Sequence, residues 1–253
     1  EPAALDRATR HPEARRAELE LLLVRRERTH GTWRWRCVKP SGADQQIELR
    51  LADGRLQCEL PECVLRTEGD AAAVGWRGLR LVELGNEAEV LRRRIDERLP
   101  WLPHRSNTEL ARLFEVTAVE KKADGSGDPS HEGAVWLRLT PAGLARDGGA
   151  YLQIACSRAD GQVVAWESYV DDKLTARIRF IGRPKDSPQD AWQTAVQEDS
   201  QGRPLARWEL IEAQAKAAEI PPLADAWAGY LHLDRRADRP ALDAPLADAL
   251  TAL

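Results

Sequence analysis

The stretch Gln162–Gly182 reads QVVAWESYVDDKLTARIRFIG and decides the fold. Apolar and polar side chains alternate along both of its arms, which is typical of a half-buried β-strand. Asp171 and Asp172 stand between the arms, and aspartate is common in tight turns. We therefore predict a β-hairpin whose tip carboxylates form the turn. A solvated tip is a poor place for acid–base chemistry, which needs carboxylates in a dry pocket.

One side of this hairpin is apolar and the other is charged. The predicted apolar side carries Val164, Trp166, Ser168 and Val170 from the first arm and Leu174, Ala176, Ile178 and Phe180 from the second. Arg177 and Arg179 mark the solvated side of the second arm. Such a pattern indicates an antiparallel sheet with one buried face.

The same alternation predicts many further strands. They cover residues 32–38, 46–51, 55–60, 63–65, 74–76, 79–82, 114–119, 134–140, 150–157, 191–196 and 206–211. Helix is an alternative for 189–198 and 207–219, where Ala, Glu and Gln are common. The predicted buried faces include Trp33, Trp35, Leu49, Leu56, Leu137 and Ile154. The turn Asp53–Gly54 is a strong hairpin signal between two of these strands.

Three segments have a helical pattern. Residues 12–28 and 87–99 are amphipathic, and the second segment places Val90, Leu91, Ile95 and Leu99 among its apolar residues. Ser106 and Glu109 have the spacing of a capping box, which predicts the start of a third helix. The segment from Pro221 onward is rich in alanine and interrupted by prolines, so we predict one or two short helices there.

The sequence contains no second sheet of matching polarity, so the helices must cover the apolar side. We therefore predict an α+β fold with a single, strongly curved antiparallel sheet. An N-terminal helix and a central helical lid would cover it and leave a cavity or groove in between. The predicted division is a main domain, 1–220, and a C-terminal tail, 221–253.

Composition narrows the function classes. The formal net charge is −4 and the pI is about 5.8, which disfavours sequence-independent nucleic-acid binding. No apolar run approaches the roughly 18 residues that a membrane-spanning helix needs. The chain begins at Glu1 and not at an initiator methionine, so we expect a processed chain or a fragment.

The four cysteines allow three interpretations. Cys58 and Cys63 have a spacing compatible with half of a zinc site, but Cys37 and Cys156 supply no second pair. A disulfide between Cys58 and Cys63 is the second interpretation, in an oxidising compartment. Buried thiols are the third.

Catalytic signatures are missing from the sequence. None of the five histidines, His11, His30, His104, His131 and His232, stands at ligand spacing from a cysteine or a carboxylate. Residues 124–128 faintly resemble a calcium loop but lack its alternating acidic ligands, which favours a linker. We predict no catalytic residue, no metal and no cofactor.

A family resemblance rests on three stretches: VWLRLTP at 135–141, YLQIACSRADGQVVAWESY at 151–169 and KLTARIRFIG at 173–182. Their order of strands and turns resembles the lipoprotein-carrier superfamily of the LolA, LppX and MucB/RseB type, over about residues 12–182. The resemblance implies an incomplete β-barrel closed by a lid of helices, whose cavity binds acyl chains or lipidated partners outside the cytoplasm. Some members are sensors, and one of similar fold is an enzyme.

From this resemblance we predict a noncatalytic carrier of the bacterial cell envelope, in the periplasm or otherwise exported. Its ligand would be an apolar lipid or a lipidated protein. The predicted lining is Trp33, Trp35, Leu49, Leu56, Leu91, Ile95, Leu137, Ile154, Trp166, Ile178 and Phe180. The chain has nine tryptophans, and simple core filling is the alternative role for those on buried faces.

Two other functions stay open. The first is an interaction, sensor or scaffold subunit that binds a protein through the helix 87–99 or the tail 221–253. The arginines 92–94 would meet a partner or an anionic headgroup there, unless they form an ordinary solvated face. The second is a cofactor-free enzyme acting in the cavity.

Overall fold

The computed structural model describes residues 30–119, 134–142, 149–157, 162–182, 192–215, 219–223, 227–236 and 241–242. The predicted helix 12–28 and the loop 124–128 lie outside these residues, as do His11 and His131.

Fifteen strands dominate the described chain. They are β1 Gly31–Val38, β2 Asp44–Ala52, β3 Arg55–Glu59, β4 Cys63–Glu68, β5 Ala71–Trp76, β6 Leu81–Gly85, β7 Phe114–Val119, β8 Ala134–Pro141, β9 Tyr151–Ser157, β10 Val163–Val170, β11 Lys173–Ile181, β12 Thr194–Asp199, β13 Pro204–Gln214, β14 Leu231–Asp234 and β15 Ala241–Leu242. The strand interpretation is therefore correct for all of 206–211 and for the second half of 191–196, and the helical alternative is wrong for the described residues of both segments.

The strands form one sheet in the order β15-β14-β6-β5-β4-β3-β2-β1-β13-β12-β11-β10-β9-β8-β7. Neighbours from β1 to β6 and from β7 to β12 are antiparallel, as predicted. The order of these described strands has two ends, so they do not form a closed barrel. The pair of β14 and β6 is parallel, which the sequence did not predict.

The chain divides into two compact units. The first contains the described residues between 105 and 182 and between 192 and 207, and the second contains those between 30 and 104 and from 208 onward. The predicted boundary at residue 220 stays a prediction.

Two hairpins have the turns that the sequence indicates. At the tip of the β10–β11 hairpin, Asp171 and Asp172 have φ angles of 50° and 57°, and Asp53 and Gly54 have 50° and 76°. Positive φ at both central residues is the geometry of a type I′ turn, which suits the twist of antiparallel strands.

Irregularities in the β10–β11 hairpin change the predicted parity at two residues. Val163 lies opposite Cys156 while Ala165 lies opposite Ala155, so the register shifts between them. Val164 packs with Trp136 and Ala165 instead of sharing the side of Trp166. A second shift places Leu174 opposite Tyr169, away from the apolar side on which it was predicted. A bulge inserts one residue and so reverses the alternation beyond it.

The structure contains two helices among the described residues. α1, Ala88–Arg98, matches the predicted helix and packs against β4 and β5. Leu91 and Ile95 are buried, whereas Val90 is 46% exposed. α2, Asn107–Leu113, begins at the predicted capping box: Ser106 Oγ accepts from the Glu109 N–H, and Glu109 Oε2 accepts from the Ser106 N–H.

The described part of the C-terminal region forms strands, so the predicted short helices are wrong there. The tail segment, which we define as residues 219–223 and 227–236, adds β14 to the edge of β6. Its Leu223 and Trp227 pack with Ala73, Val82 and Leu84 in a buried cluster. The ring of Trp227 occupies the space above Gly75, where a Cβ atom would lie 2.0 Å from Cζ3 of the ring.

Candidate functional site

A buried row of apolar side chains crosses four strands of the first unit. This apolar row consists of Leu137, Ile154, Trp166 and Ile178, each opposite the next in the strand register. Each is at most 6% exposed. Phe180 on β11 is also buried, and its ring lies 5.3 Å from that of Trp192. The alternation along the strands identified these five side chains as buried, and the register brings the four of the row together.

The indole of Trp166 is the polar exception in this row. Its Nε1 is enclosed and has no hydrogen-bond acceptor. A buried donor without an acceptor costs roughly 1–3 kcal/mol, and such groups in native proteins usually have a partner or a functional reason. This donor stands between two aliphatic neighbours in the strand register, Ile154 and Ile178. The arrangement therefore suits a mostly apolar ligand that carries one hydrogen-bond acceptor.

The opposite face of the first unit contains a polar row next to the apolar cluster of Trp136, Ala155 and Ala165. The polar row carries Arg138, Gln153, Glu167, Arg177 and Glu198 at consecutive positions across five strands. Glu198 is only 5% exposed, and it accepts hydrogen bonds from Arg177 Nε at 2.9 Å and from Arg179. Burial opposes its ionisation, but the bonds from Arg179 and Arg177 outweigh burial and lower the pKa of Glu198.

The second unit also buries its predicted site residues. Trp33, Trp35, Leu49, Leu56, Leu91 and Ile95 are each at most 7% exposed. Trp33 lies opposite Leu49, Trp35 lies opposite Ile47 and Leu56 lies opposite Leu51, so the strand residues share one face. Leu91 and Ile95 project from α1.

Two tryptophans that were not singled out join Trp35. The rings of Trp35 and Trp101 meet edge-to-face at 5.9 Å, and those of Trp101 and Trp208 do so at 5.3 Å. Trp208 Nε1 donates to the Arg98 carbonyl at 3.1 Å. The three rings therefore form one aromatic cluster in the second unit. Trp101 stands between Pro100 and Pro103, outside every predicted strand and helix, so no alternation marks it as a core residue.

A polar pocket of about 390 Å³ opens on the outer face of the second unit, the face that carries Arg34, Glu48 and Arg66. The pocket is lined by Arg34, Asp44, Gln45, Gln46, Glu48, Glu59, Leu60, Pro61 and Arg77. The strand pattern did not predict this pocket. The signal was the charged side of β1, β2 and β3, where arginines face glutamates: Arg34 lies opposite Glu48.

The charges of this pocket neutralise one another. Glu48 accepts from Arg34 Nε at 2.8 Å and from Arg50 Nε at 2.5 Å, and Glu59 accepts from Arg77 Nη2 at 2.9 Å. Burial opposes the ionisation of Glu48, but its bonds from Arg34 and Arg50 lower its pKa. A lowered pKa suits a fixed ionic contact better than a proton donor at neutral pH.

The cysteines are buried. Cys37, Cys58 and Cys63 are free thiols, and Cys156 is also enclosed. Burial raises the pKa of Cys37, Cys58 and Cys63, which makes the reactive thiolate scarce. Of the three interpretations, buried thiols describe this structure.

The histidines in the described part of the chain are dispersed. His30 hydrogen-bonds Asp53 at 3.0 Å on the surface, and the buried His104 Nε2 lies 3.2 Å from Asp96 Oδ1. Within the same described residues, no group of three His, Cys, Asp or Glu side chains could hold a metal ion. Neither of the two described helices has the length and apolarity to cross a membrane.

Comparison with known proteins gives a likeness of fold. No family model and no curated protein matches the sequence. The structure is similar to a DUF1329 family protein from Desulfovibrio piger, with 9% identity, 83% of this chain and 95% of that chain covered, and a TM-score of 0.50.

Two further solved structures are similar at lower TM-scores. A LolA superfamily protein from Nitrosomonas europaea has 10% identity and a TM-score of 0.47. The match covers 82% of this chain and 94% of that chain. A protein domain from Vibrio parahaemolyticus named for outer membrane lipoprotein sorting has 10% identity and a TM-score of 0.49. The match covers 83% of this chain and 94% of that chain. The resemblance inferred from the sequence is thus confirmed as a resemblance of fold.

Proposed function

We propose that this chain is a noncatalytic binding protein of the cell envelope that holds an acyl-chain or lipidated ligand against its apolar face. The observation that carries the proposal is the buried Trp166 N–H, which has no acceptor because its neighbours in the row are aliphatic. An ester or amide carbonyl at the head of an acyl chain would satisfy it. The chain itself would gain about 25 cal/mol per Å² of apolar surface removed from water.

Each unit has its own set of proposed lining residues. Leu137, Ile154, Trp166, Ile178 and Phe180 would contact the ligand in the first unit. Trp33, Trp35, Leu49, Leu56, Leu91 and Ile95 stay proposed lining residues in the second. The fold likeness supports an envelope role, since one similar structure is named for lipoprotein sorting. Export to the periplasm belongs to the same proposal.

The test begins with native mass spectrometry of the protein purified from its own host, where we expect a co-purified lipid. Competition then compares a fluorescent phospholipid, which has ester carbonyls, with a hydrocarbon probe that has no acceptor. Because one neutral hydrogen bond is worth about 1 kcal/mol, W166F should weaken phospholipid binding about five-fold and leave hydrocarbon binding unchanged.

The matched control is W136F. Trp136 is equally buried at 7% exposure but packs with Ala155 and Ala165 on the opposite face, so its replacement should not alter the competition. The proposal fails if no lipid co-purifies and the two tryptophan variants bind both probes alike.

A protein-interaction, sensor or scaffold role is the second candidate, and one observation favours it. Among the described strands β7 is at one end of the order, and its Glu115, Thr117 and Ala118 are exposed. An exposed edge strand can pair with a strand of another chain. The same preparation distinguishes the two roles, because an interaction subunit would retain a protein partner where a carrier retains a lipid.

A further inference from the structure

Arg66 is a buried arginine without a carboxylate partner. It lies on β4 opposite Gln57 on one side and Ala73 on the other, and it is 8% exposed. Its Nε donates to Gln57 Oε1 at 2.7 Å, while its Nη1 is enclosed with no acceptor. The neighbouring arginines differ: Arg50 contacts Glu48 and Glu59, and Arg77 contacts Glu59.

Trp227 closes over this arginine with a second unsatisfied donor. The Arg66 Cζ lies 4.6 Å from the centre of the Trp227 ring. Trp227 is 4% exposed, and its Nε1 is buried without an acceptor. One contact therefore contains a full positive charge and two N–H groups, from Arg66 and Trp227, that lack an acceptor.

The protein's own groups do not compensate this charge. A guanidinium stays protonated in proteins, and burying an ion costs several kcal/mol unless a counter-charge accompanies it. The cation–π contact with a ring face stabilises such a charge by about 0.5–2 kcal/mol. The charge of Glu59 acts on Arg66 without a salt bridge to it, and Glu59 is already bonded by Gln57 Nε2 at 2.7 Å and by Arg77.

We propose that the contact between Arg66 and Trp227 is a binding site for a small monovalent anion of the size of chloride. One negative charge matches the one uncompensated guanidinium, and the Arg66 Nη1 and Trp227 Nε1 groups would be its donors. Trp227 belongs to the tail segment, so the anion would tie that segment to the outer face of the second unit. This site is independent of the proposed lipid site.

The experiment measures thermal unfolding of the full chain in sodium chloride and in sodium gluconate at equal sodium concentration, together with ³⁵Cl NMR line widths. A ligand that binds only the folded state stabilises it by mass action. Each tenfold increase of chloride above its dissociation constant should therefore raise the Tm by about 3–5 °C. The ³⁵Cl signal should broaden in the presence of protein and sharpen when nitrate displaces chloride.

Two variants and one control assign the effect. R66M keeps a long side chain under the indole but removes the charge, so the chloride dependence and the line broadening should disappear. In gluconate R66M should unfold at the same or a higher temperature than the wild type, because it buries no lone charge. W227F keeps the ring but removes one donor, so it should weaken chloride binding several-fold.

The control is W76F, in which the lost indole N–H had an acceptor, Glu83 Oε1 at 3.1 Å. Its chloride dependence should equal that of the wild type. The proposal is overturned if the wild type has the same Tm in both salts with no ³⁵Cl broadening, as for a site that holds only water. It is equally overturned if R66M retains the full chloride effect.

Discussion

Trp166 and Trp227 are alike at the residue scale, since each buries an indole N–H that no acceptor reaches. Their surroundings give them different meanings. Trp166 stands among aliphatic side chains, so its N–H would be satisfied by an acceptor on a mostly apolar ligand. Trp227 stands against the Arg66 guanidinium, so a bound anion would supply the missing acceptor. Alternation along the strand predicted that Trp166 is buried, but no local pattern marks Trp227, because its partners lie about 150 residues earlier in the chain.

Gly75 allows the ring of Trp227 to approach the backbone of β5 closely. A Cβ atom there would meet the Trp227 ring at 2.0 Å, so G75A must displace the indole. We expect a loss of about 1–3 kcal/mol in the free energy of unfolding, as for other overpacked sites, measured by urea titration. G78A is the matched control, because nothing lies within 4 Å of a Cβ at Gly78. Equal effects of G75A and G78A would show that the packing of the Trp227 indole does not require the space above Gly75.

The elements show where sequence patterns succeed and where they fail. The capping box at Ser106 and the turn pairs at Asp53 and Asp171 are local signals, and the structure confirms each of them. Parity fails at Val164 and Leu174 because bulges add a residue that no local pattern marks. The strand β14 was missed because its pairing partner β6 is distant in sequence and parallel to it.

The start of α2 provides a prediction for an element. S106A removes the hydroxyl that accepts from the Glu109 N–H at 3.2 Å, and loss of an N-cap typically costs about 1 kcal/mol. Hydrogen exchange should show faster exchange at the amides of the first turn of α2. S106D keeps a capping oxygen and should behave like the wild type. Unchanged exchange in S106A would mean that packing alone holds the helix end.

At the scale of the whole molecule, buried carboxylates make stability depend on pH. Glu48 in the second unit and Glu198 in the first each have two arginine partners and a lowered pKa. A carboxylate with a lowered folded-state pKa contributes stability that is complete above its ordinary value of 4.5 and is lost as the pH falls through the folded-state value. The free energy of unfolding should therefore decline from about pH 4.5 downward.

E198Q tests the share of one of these groups. Its arginine partners are 39% and 45% exposed, so screening limits the loss at neutral pH to about 1 kcal/mol. Below pH 4.5 the variant should lose less stability than the wild type, because one titrating group is gone. E115Q, on the exposed Glu115 of β7, should reproduce the wild-type acid profile. A parallel profile for E198Q would mean that Glu198 does not contribute to the acid sensitivity.

The pairing of β14 with β6 has a consequence for biosynthesis. Asn86, just after β6, bonds to Arg236, which lies 150 residues later in the chain. On a ribosome, the edge of β6 has no native neighbour until β14, Leu231–Asp234, has emerged. Pairing over so long a loop is slow to form, so this edge is the place where we expect a nascent chain to need a chaperone.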